Sequence, residues 1–146
     1  MINLKSYSIA TGNSCEQLII SSIRVSYEDY SNGNPYNTIF SVKVISGDFA
    51  GVSEFEYNIE NFIRFVKEIR YLYDFKLSKV ELNDICYGSN IQFSLDKTGH
   101  ITISGTIYGN AAEHSLTFIF TTDQTAIEAF CKSLYKDFII ENAHKL

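Results

Sequence analysis

The chain has no tryptophan, one proline, one methionine and three cysteines among its residues. Each scarcity excludes something. Cys15, Cys86 and Cys131 are an odd, sparse set, unlike a disulfide framework, and no pair has the CxxC spacing of a metal or redox site. Reduced thiols in a cytosolic protein are the expectation. His100, His114 and His144 do not pair at ligand spacing, and there is no HExxH, so each is expected to be a surface histidine and no metal or cofactor is expected. No apolar run approaches the ~20 residues of a membrane-spanning helix. The start, MINLKSYSIATGN, lacks the sustained apolar core of a signal peptide. Basic residues are outnumbered: a net charge of −5 and a pI near 5.1 repel phosphate backbones and anionic membranes. Neither nucleic acid nor membrane is therefore an expected partner, whereas a basic protein surface is compatible.

What is present is apolar and aromatic: 45% hydrophobic residues and 14% aromatic ones, all Phe and Tyr, which excludes a disordered or low-complexity chain. Residues 1–146 suit a single domain, able to bury roughly 68–70% of its unfolded surface without staples. Alternation with a period of two dominates. In QLIISSIRVSY the expected inward face is Ile19, Ile23, Val25 and Tyr27, with Ser21 interrupting it. Phe40, Val42 and Val44 alternate with Ser41 and Lys43; Phe55 and Tyr57 oppose Glu54 and Glu56. Val80/Leu82, Ile91/Phe93/Leu95, Ile101/Ile103/Ile107 and Leu116/Phe118/Phe120 continue the pattern. These are half-buried antiparallel strands, separated by turn signals at SNGNP, SGD, YGSN, DKTG and GNAAE.

Two stretches switch to helical spacing. From about Ile59 to Phe75, Phe62, Phe65, Val66, Ile69, Leu72 and Tyr73 form a stripe, with Asn58 as N-cap. From about Gln124 to Glu141 the stripe is Ile127, Phe130, Cys131, Leu134 and Phe138, behind a Thr-Thr-Asp-Gln opening that supplies a cap from Thr121, Thr122 or Asp123. The fold class is α+β: a largely antiparallel sheet of about seven or eight strands with two helices packed on one face, ordered strands, helix, strands, helix. The helices end alike, in LYDF and LYKDF, a weak echo of two equivalent halves.

GDFAG, Gly47–Gly51, precedes the first helix, yet it is no phosphate cradle. It lacks GxxxxGK[ST] and GxGxxG spacing, carries an aspartate, and is separated from the helix by the strand SEFEYN. Gly47-Asp48 reads as a two-residue hairpin turn, and Gly51 as a bulge or a close backbone approach. Cys15 in GNSCEQ has no recognisable nucleophile context, and Cys86 and Cys131 sit beside apolar residues as small buried hydrophobes do. The paired acids Glu28-Asp29 and Glu54/Glu56 suit general acid–base work only inside a pocket; otherwise they are solvated or meet basic groups on a partner. Tyr30 and Tyr36 in the polar segment EDYSNGNPYN, and Tyr71 on the outward side of the first helix, are rings at polar positions, favoured at protein interfaces.

The run FSVKVISGDFAGVSEFEYNIENFIRFVKEIRYLY, followed by HITISGTI and LTFIFTTDQTAIEAFCKSL, resembles the WapI-type bacterial immunity proteins over most of Phe40–Leu134. The likeness lies in a Val-x-Val strand, Gly-x-Phe-x-Gly, a Glu-bearing strand, a helix with Phe in its first turn, and Phe-x-x-Asp-Gln-Thr opening the last helix. The resemblance implies a non-enzymatic, cytoplasmic protein without cofactor that binds the C-terminal domain of a cognate toxin and blocks it. Such toxins are often nucleases, whose basic cleft an acidic inhibitor suits. The expected partner-binding residues are Glu28, Asp29, Tyr30, Tyr36, Glu54, Glu56 and Tyr71. Two rival classes stay open. One is a ligand-binding module or enzyme with a pocket between sheet and helices; the other is an oligomer-forming structural domain.

Overall fold

A computed structural model describes residues 1–13, 15–109 and 112–141. His144, and Asn110 and Ala111 of the GNAAE turn, lie outside the described residues. The order is β1 (Ile2–Ala10), β2 (Glu16–Val25), α1 (Tyr27–Ser31), β3 (Thr38–Ser46), β4 (Phe49–Tyr57), α2 (Ile59–Tyr73), β5 (Lys79–Asn83), β6 (Asn90–Leu95), β7 (His100–Gly109), β8 (His114–Asp123) and α3 (Gln124–Tyr135), which runs into a π-helical turn, Lys136–Ile140. The class is α+β and every strand pairing is antiparallel.

The strands do not form one continuous sheet. They divide into two four-stranded meanders, β1-β2-β3-β4 and β5-β6-β7-β8. The reason lies at the outer edge of β4, where a fifth strand would have to pair. At Glu56 that edge is already satisfied: its amide donates to Asp84 Oδ1 at 2.8 Å, and its carbonyl accepts from the Ile85 amide at 3.1 Å. Asp84 is buried and also accepts from the amides of Cys86 (3.2 Å) and Tyr87 (2.8 Å). The β5–β6 connection thus caps the first sheet instead of extending it.

The inner faces are Tyr7, Ile9, Leu18, Ile20, Ile23, Phe40, Val42, Val44 and Phe55 in the first sheet, and Val80, Leu82, Ile91, Phe93, Ile101, Ile103, Phe118 and Phe120 in the second. Burying apolar side chains here stabilises the fold by about 1.5–3 kcal/mol each. The predicted frame of β2 fails in its first half. Leu18 and Ile20 are the buried residues there, and Ile19 points outward, half-buried. The register against β3 slips between Ser21 and Arg24, where Ser22 adopts φ 54°. This bulge lets Ile23 and Val25 return to the core one residue out of phase with Leu18 and Ile20. Tyr27, expected on the same strand face, belongs to α1 instead.

Both helices arise as the spacing predicts. Asn58 Oδ1 accepts from the Asn61 amide at 2.7 Å and Asp123 Oδ1 from the Ala126 amide at 3.0 Å, the two N-caps. Rings link the layers: Phe62 of α2 lies 5.1 Å from Phe40 of β3, Phe65 lies 5.9 Å from Phe93 of β6, and Phe93 lies 6.5 Å from Phe130 of α3. The echo between halves is structural: each is a four-stranded meander followed by a helix. The helices pack on each other, α2 also abutting β5, the edge of the second sheet, and α3 abutting β1, the edge of the first.

GDFAG is a hairpin. Ser46 pairs with Phe49 around Gly47-Asp48, with Gly47 at φ 62°. The register continues unbroken through Gly51, so there is no bulge. Gly51 marks close packing of one sheet on the other: a Cβ there would sit 3.4 Å from Ile107 Cδ1 and from Leu116 Cβ.

Candidate functional site

The crossing from β2 to β3 holds most of the acidic and tyrosine side chains singled out in the sequence. Ser26 caps α1, its hydroxyl accepting from the Asp29 amide at 3.2 Å. The turn that follows is held by asparagines. Asn34 Oδ1 accepts from the Tyr36 amide at 2.9 Å, and Asn37 Nδ2 donates to the Asn34 carbonyl at 2.9 Å. Asn37 is buried, and its Oδ1 accepts from the Ile59 amide at 2.8 Å, fastening the crossing to the start of α2.

On this frame Glu28 is exposed, Asp29 and Tyr30 are half-buried, and Tyr36 is 47% exposed. The Tyr30 hydroxyl donates to Glu60 Oε1 at 3.3 Å, bringing α2's first turn into the group. Glu54 and Glu56 lie on the outer face of β4, opposite Phe55 and Tyr57 as the alternation predicts. They reach the same end of the sheet, because Arg24 pairs with Ile39 and Ile39 with Glu56. Arg24 spans β3 to place a guanidinium nitrogen 3.0 Å from Glu54 Oε1. Both partners are more than half exposed, so the pair adds little stability and leaves the region acidic. Clefts of about 430 Å³ and 210 Å³ flank the crossing, one between Tyr30, Pro35 and Glu60, the other between Arg24, Asp29 and Tyr36.

Tyr71 is not part of this group. It is exposed near the far end of α2, about 16 Å along the helix from Glu60, with Lys76 Nζ 6.0 Å from its ring centre. Conversely, Arg24, Asn37 and Glu60 belong to the region but were not singled out in the sequence. The signal for Glu60 was its place after the Asn58 cap; the signal for Asn37 was absent, because its role depends on a contact across the fold.

The residues capable of covalent or metal chemistry are scattered over other elements. Cys15 is exposed in the β1–β2 turn, its carbonyl accepting from the Gly47 amide at 3.0 Å. Cys86 is exposed, not buried as its apolar neighbour suggested, and lies in the connection capping β4; desolvation and the nearby Glu56 and Asp84 carboxylates hold its thiol above the usual range. Cys131 is buried, and burial pushes its thiol up to about 11. His100 is exposed and lies 2.7 Å from Thr98 Oγ1; His114 is exposed at the start of β8. Among the described residues no three His, Cys, Asp or Glu side chains converge to hold a metal. A polar cleft of about 280 Å³ between α2 and β5 is lined by Tyr57, Arg64, Glu68 and Glu81. Burial raises the Tyr57 hydroxyl to about 12, and that oxygen accepts from the Asn83 amide at 2.6 Å. Among the described residues no helix is long and apolar enough to cross a membrane.

The model of the immunity protein WapI-like family matches residues 9–139. The chain belongs to that family. The match runs from the last residues of β1 into the π turn, so it includes β2 to β4, the α1 crossing and the whole second meander, and it extends beyond Phe40–Leu134 at both ends. No curated protein matches the chain in sequence. Among solved structures, that of MRP1/MRP2 from Trypanosoma bruciei superimposes with a TM-score of 0.55 at 8% identity, covering 100% of this chain and 90% of that one. At that identity the WapI-like chain shares a fold with it and nothing more.

Proposed function

We propose that this immunity protein neutralises a cognate toxin by binding its C-terminal domain in the cytoplasm, without catalysis of its own, through the α1 end of the first sheet. The observation that carries this is the joining of Glu28, Asp29, Tyr30 and Tyr36, by the Ser26 and Asn37 frame, to Glu54, Glu56 and Glu60 on neighbouring elements. Acidic groups around two tyrosines fit a basic partner surface: the charge steers the encounter, and the rings supply contact area at low entropic cost. A toxin with a basic substrate cleft, such as a nuclease, is the partner this chemistry favours. The frame is held by backbone caps, so little ordering is left to pay on binding.

The test is co-purification with the toxin domain encoded beside its gene, together with rescue of cells expressing that domain. Reversing Glu28 and Asp29 to lysine removes rescue while leaving thermal unfolding unchanged, and tyrosine-to-alanine changes at Tyr30 and Tyr36 slow association less than they speed dissociation. Failure of both co-purification and rescue by the unmodified protein sinks the proposal.

A further inference from the structure

Two open meanders present four edge strands, and three of them are closed by recognisable devices. β1 slips register between Asn3 and Ser6, carries Lys5, and is covered by α3 and the π turn, where Asp137 takes Lys5 Nζ at 3.2 Å. β4 is capped by Asp84 and Ile85. β5 has only 5 residues, bears Lys79 and Glu81, and gives its Asn83 amide to Tyr57. These are the means by which sheet edges ordinarily avoid pairing with another chain.

Among the described residues β8 has none of them. It runs 10 residues, pairs with β7 without a register break, and carries no Lys, Arg or Pro. From Ser115 to Thr122 it has no charged side chain at all. Among the described residues it makes no backbone hydrogen bond to any strand but β7. Its outward side chains, Ser115, Thr117, Ile119 and Thr121, are exposed, and Ile119 is 68% exposed at the centre of an otherwise hydroxyl-bearing row.

We propose that β8 is a self-association edge, pairing antiparallel with β8 of a second copy of this chain about a two-fold axis at Ile119. Residues directly opposed across such a pair share a face, so the axis sets Ile119 against Ile119, Thr117 against Thr121, and Ser115 against Asp123. The arrangement covers the exposed aliphatic with itself. It also repeats a contact the sheet already makes, the 2.9 Å hydroxyl pair of Thr106 and Thr117. A neutral strand is what self-pairing requires, since any charge near the axis would face its own image. For the same reason a charged toxin surface is not the occupant: β8 offers it nothing to complement, and the acidic α1 region lies on the other sheet. The result is one eight-stranded sheet across the dimer, with an α1 surface free in each copy.

Sedimentation of the full chain up to millimolar concentration is expected to give a monomer–dimer equilibrium. Ile119→Lys, at an exposed position, is expected to abolish it with the thermal unfolding temperature unchanged and toxin binding intact. Register is read separately in a Cys15→Ser, Cys86→Ser background. There Ile119→Cys forms a disulfide dimer on mild oxidation, because opposed Cα atoms about 4.5–5.5 Å apart fall within disulfide reach. Ser115→Cys does not, its two copies lying on the order of 25 Å apart along the strands. A chain that stays monomeric throughout, a dimer that persists in Ile119→Lys, or equal cross-linking at Ser115 each overturns the proposal. The Ile119→Cys result stands even if the lysine variant fails to fold.

Discussion

Arg70 of α2 lies over the ring of Tyr135 of α3, its guanidinium carbon 5.4 Å from the ring centre. The contact is returned: Lys132 of α3 lies 5.6 Å above Tyr73 of α2. Each helix thus uses a cation-x-Leu-Tyr sequence, RYLY and KSLY, to place its cation on the other's tyrosine. Removing the guanidinium with Arg70→Ala is expected to cost about 0.5–1 kcal/mol in urea unfolding, and Tyr135→Phe should cost much less, because the ring face remains. Lys132→Ala should shift the midpoint in the same direction. If the two alanine variants together destabilise no more than either alone, the contacts are not independent clamps.

Asp137, buried in the π turn, accepts from the Tyr7 hydroxyl at 2.6 Å and from Lys5 at 3.2 Å. Asp137→Ala leaves the inward Tyr7 hydroxyl without that acceptor. A loss of roughly 1–3 kcal/mol is expected, and Tyr7→Phe in the same background should recover part of it. No recovery in the double variant would mean that the cost comes from elsewhere in the π turn.

Alkaline stability follows from the buried phenols. Burial raises Tyr57 to about 12, and burial plus the Asp137 hydrogen bond raises Tyr7 further. In the unfolded chain both ionise near 10. Above that pH the folded state holds protons that the unfolded state releases, so stability is complete below pH ~10 and falls as pH rises through ~12. Denaturant midpoints measured across this range should decline, and the decline should flatten in Tyr57→Phe. A profile identical to the parent's in that variant contradicts the assignment.

Gly105 sits on the inner face of β7, paired with Ile91 and Phe118. A Cβ there would lie 2.0 Å from the Asn90 carbonyl oxygen, a backbone atom that cannot yield without moving β6. Gly105→Ala is expected to cost ~3 kcal/mol or prevent folding. Gly12→Ala, at a glycine with nothing within 4 Å, is the matched control and should be close to neutral.

Thiol accessibility separates the three cysteines. Cys15 and Cys86 are exposed, whereas Cys131 is buried with its thiol raised to about 11. Titration of the native protein with a thiol-reactive dye should therefore report two groups, the third appearing only on unfolding. Three native-state equivalents would place Cys131 outside the core.

Much of this fold is legible from residue order alone, and the failures share a cause. Strands β3 to β8 bury alternate residues, and both long helices present an apolar stripe behind a side-chain cap, so local physics and tertiary packing largely agree. β1 went unread because its apolar residues change phase: Ile2 and Leu4 face out, Tyr7 and Ile9 face in, with the register slip between them. The bulge at Ser22 broke the β2 frame in the same way. At five residues α1 is too short to show a helical period. The division into two sheets depends on Asp84 meeting β4, a contact 28 residues apart in sequence. At the α1 region the tyrosines and acids stand out by residue type, but their neighbourhood does not, since Glu54, Glu56 and Glu60 join it only through strand register and the Tyr30 hydroxyl.

The crossing-over of the helices, α2 onto β5 and α3 onto β1, has a bearing on how such proteins diversify. A meander grafted from a relative would arrive with a helix shaped for its former partner, and would meet foreign rings where Phe62 expects Phe138 and Phe65 expects Phe93. Recombination within the family should therefore favour exchange of whole chains or of surface segments such as the α1 crossing, and should leave few viable hybrids joined at the Phe75–Ser78 connection. A strip of matched aromatics inside the protein would then act as a lock on heredity, tying each meander to the helix of the other half.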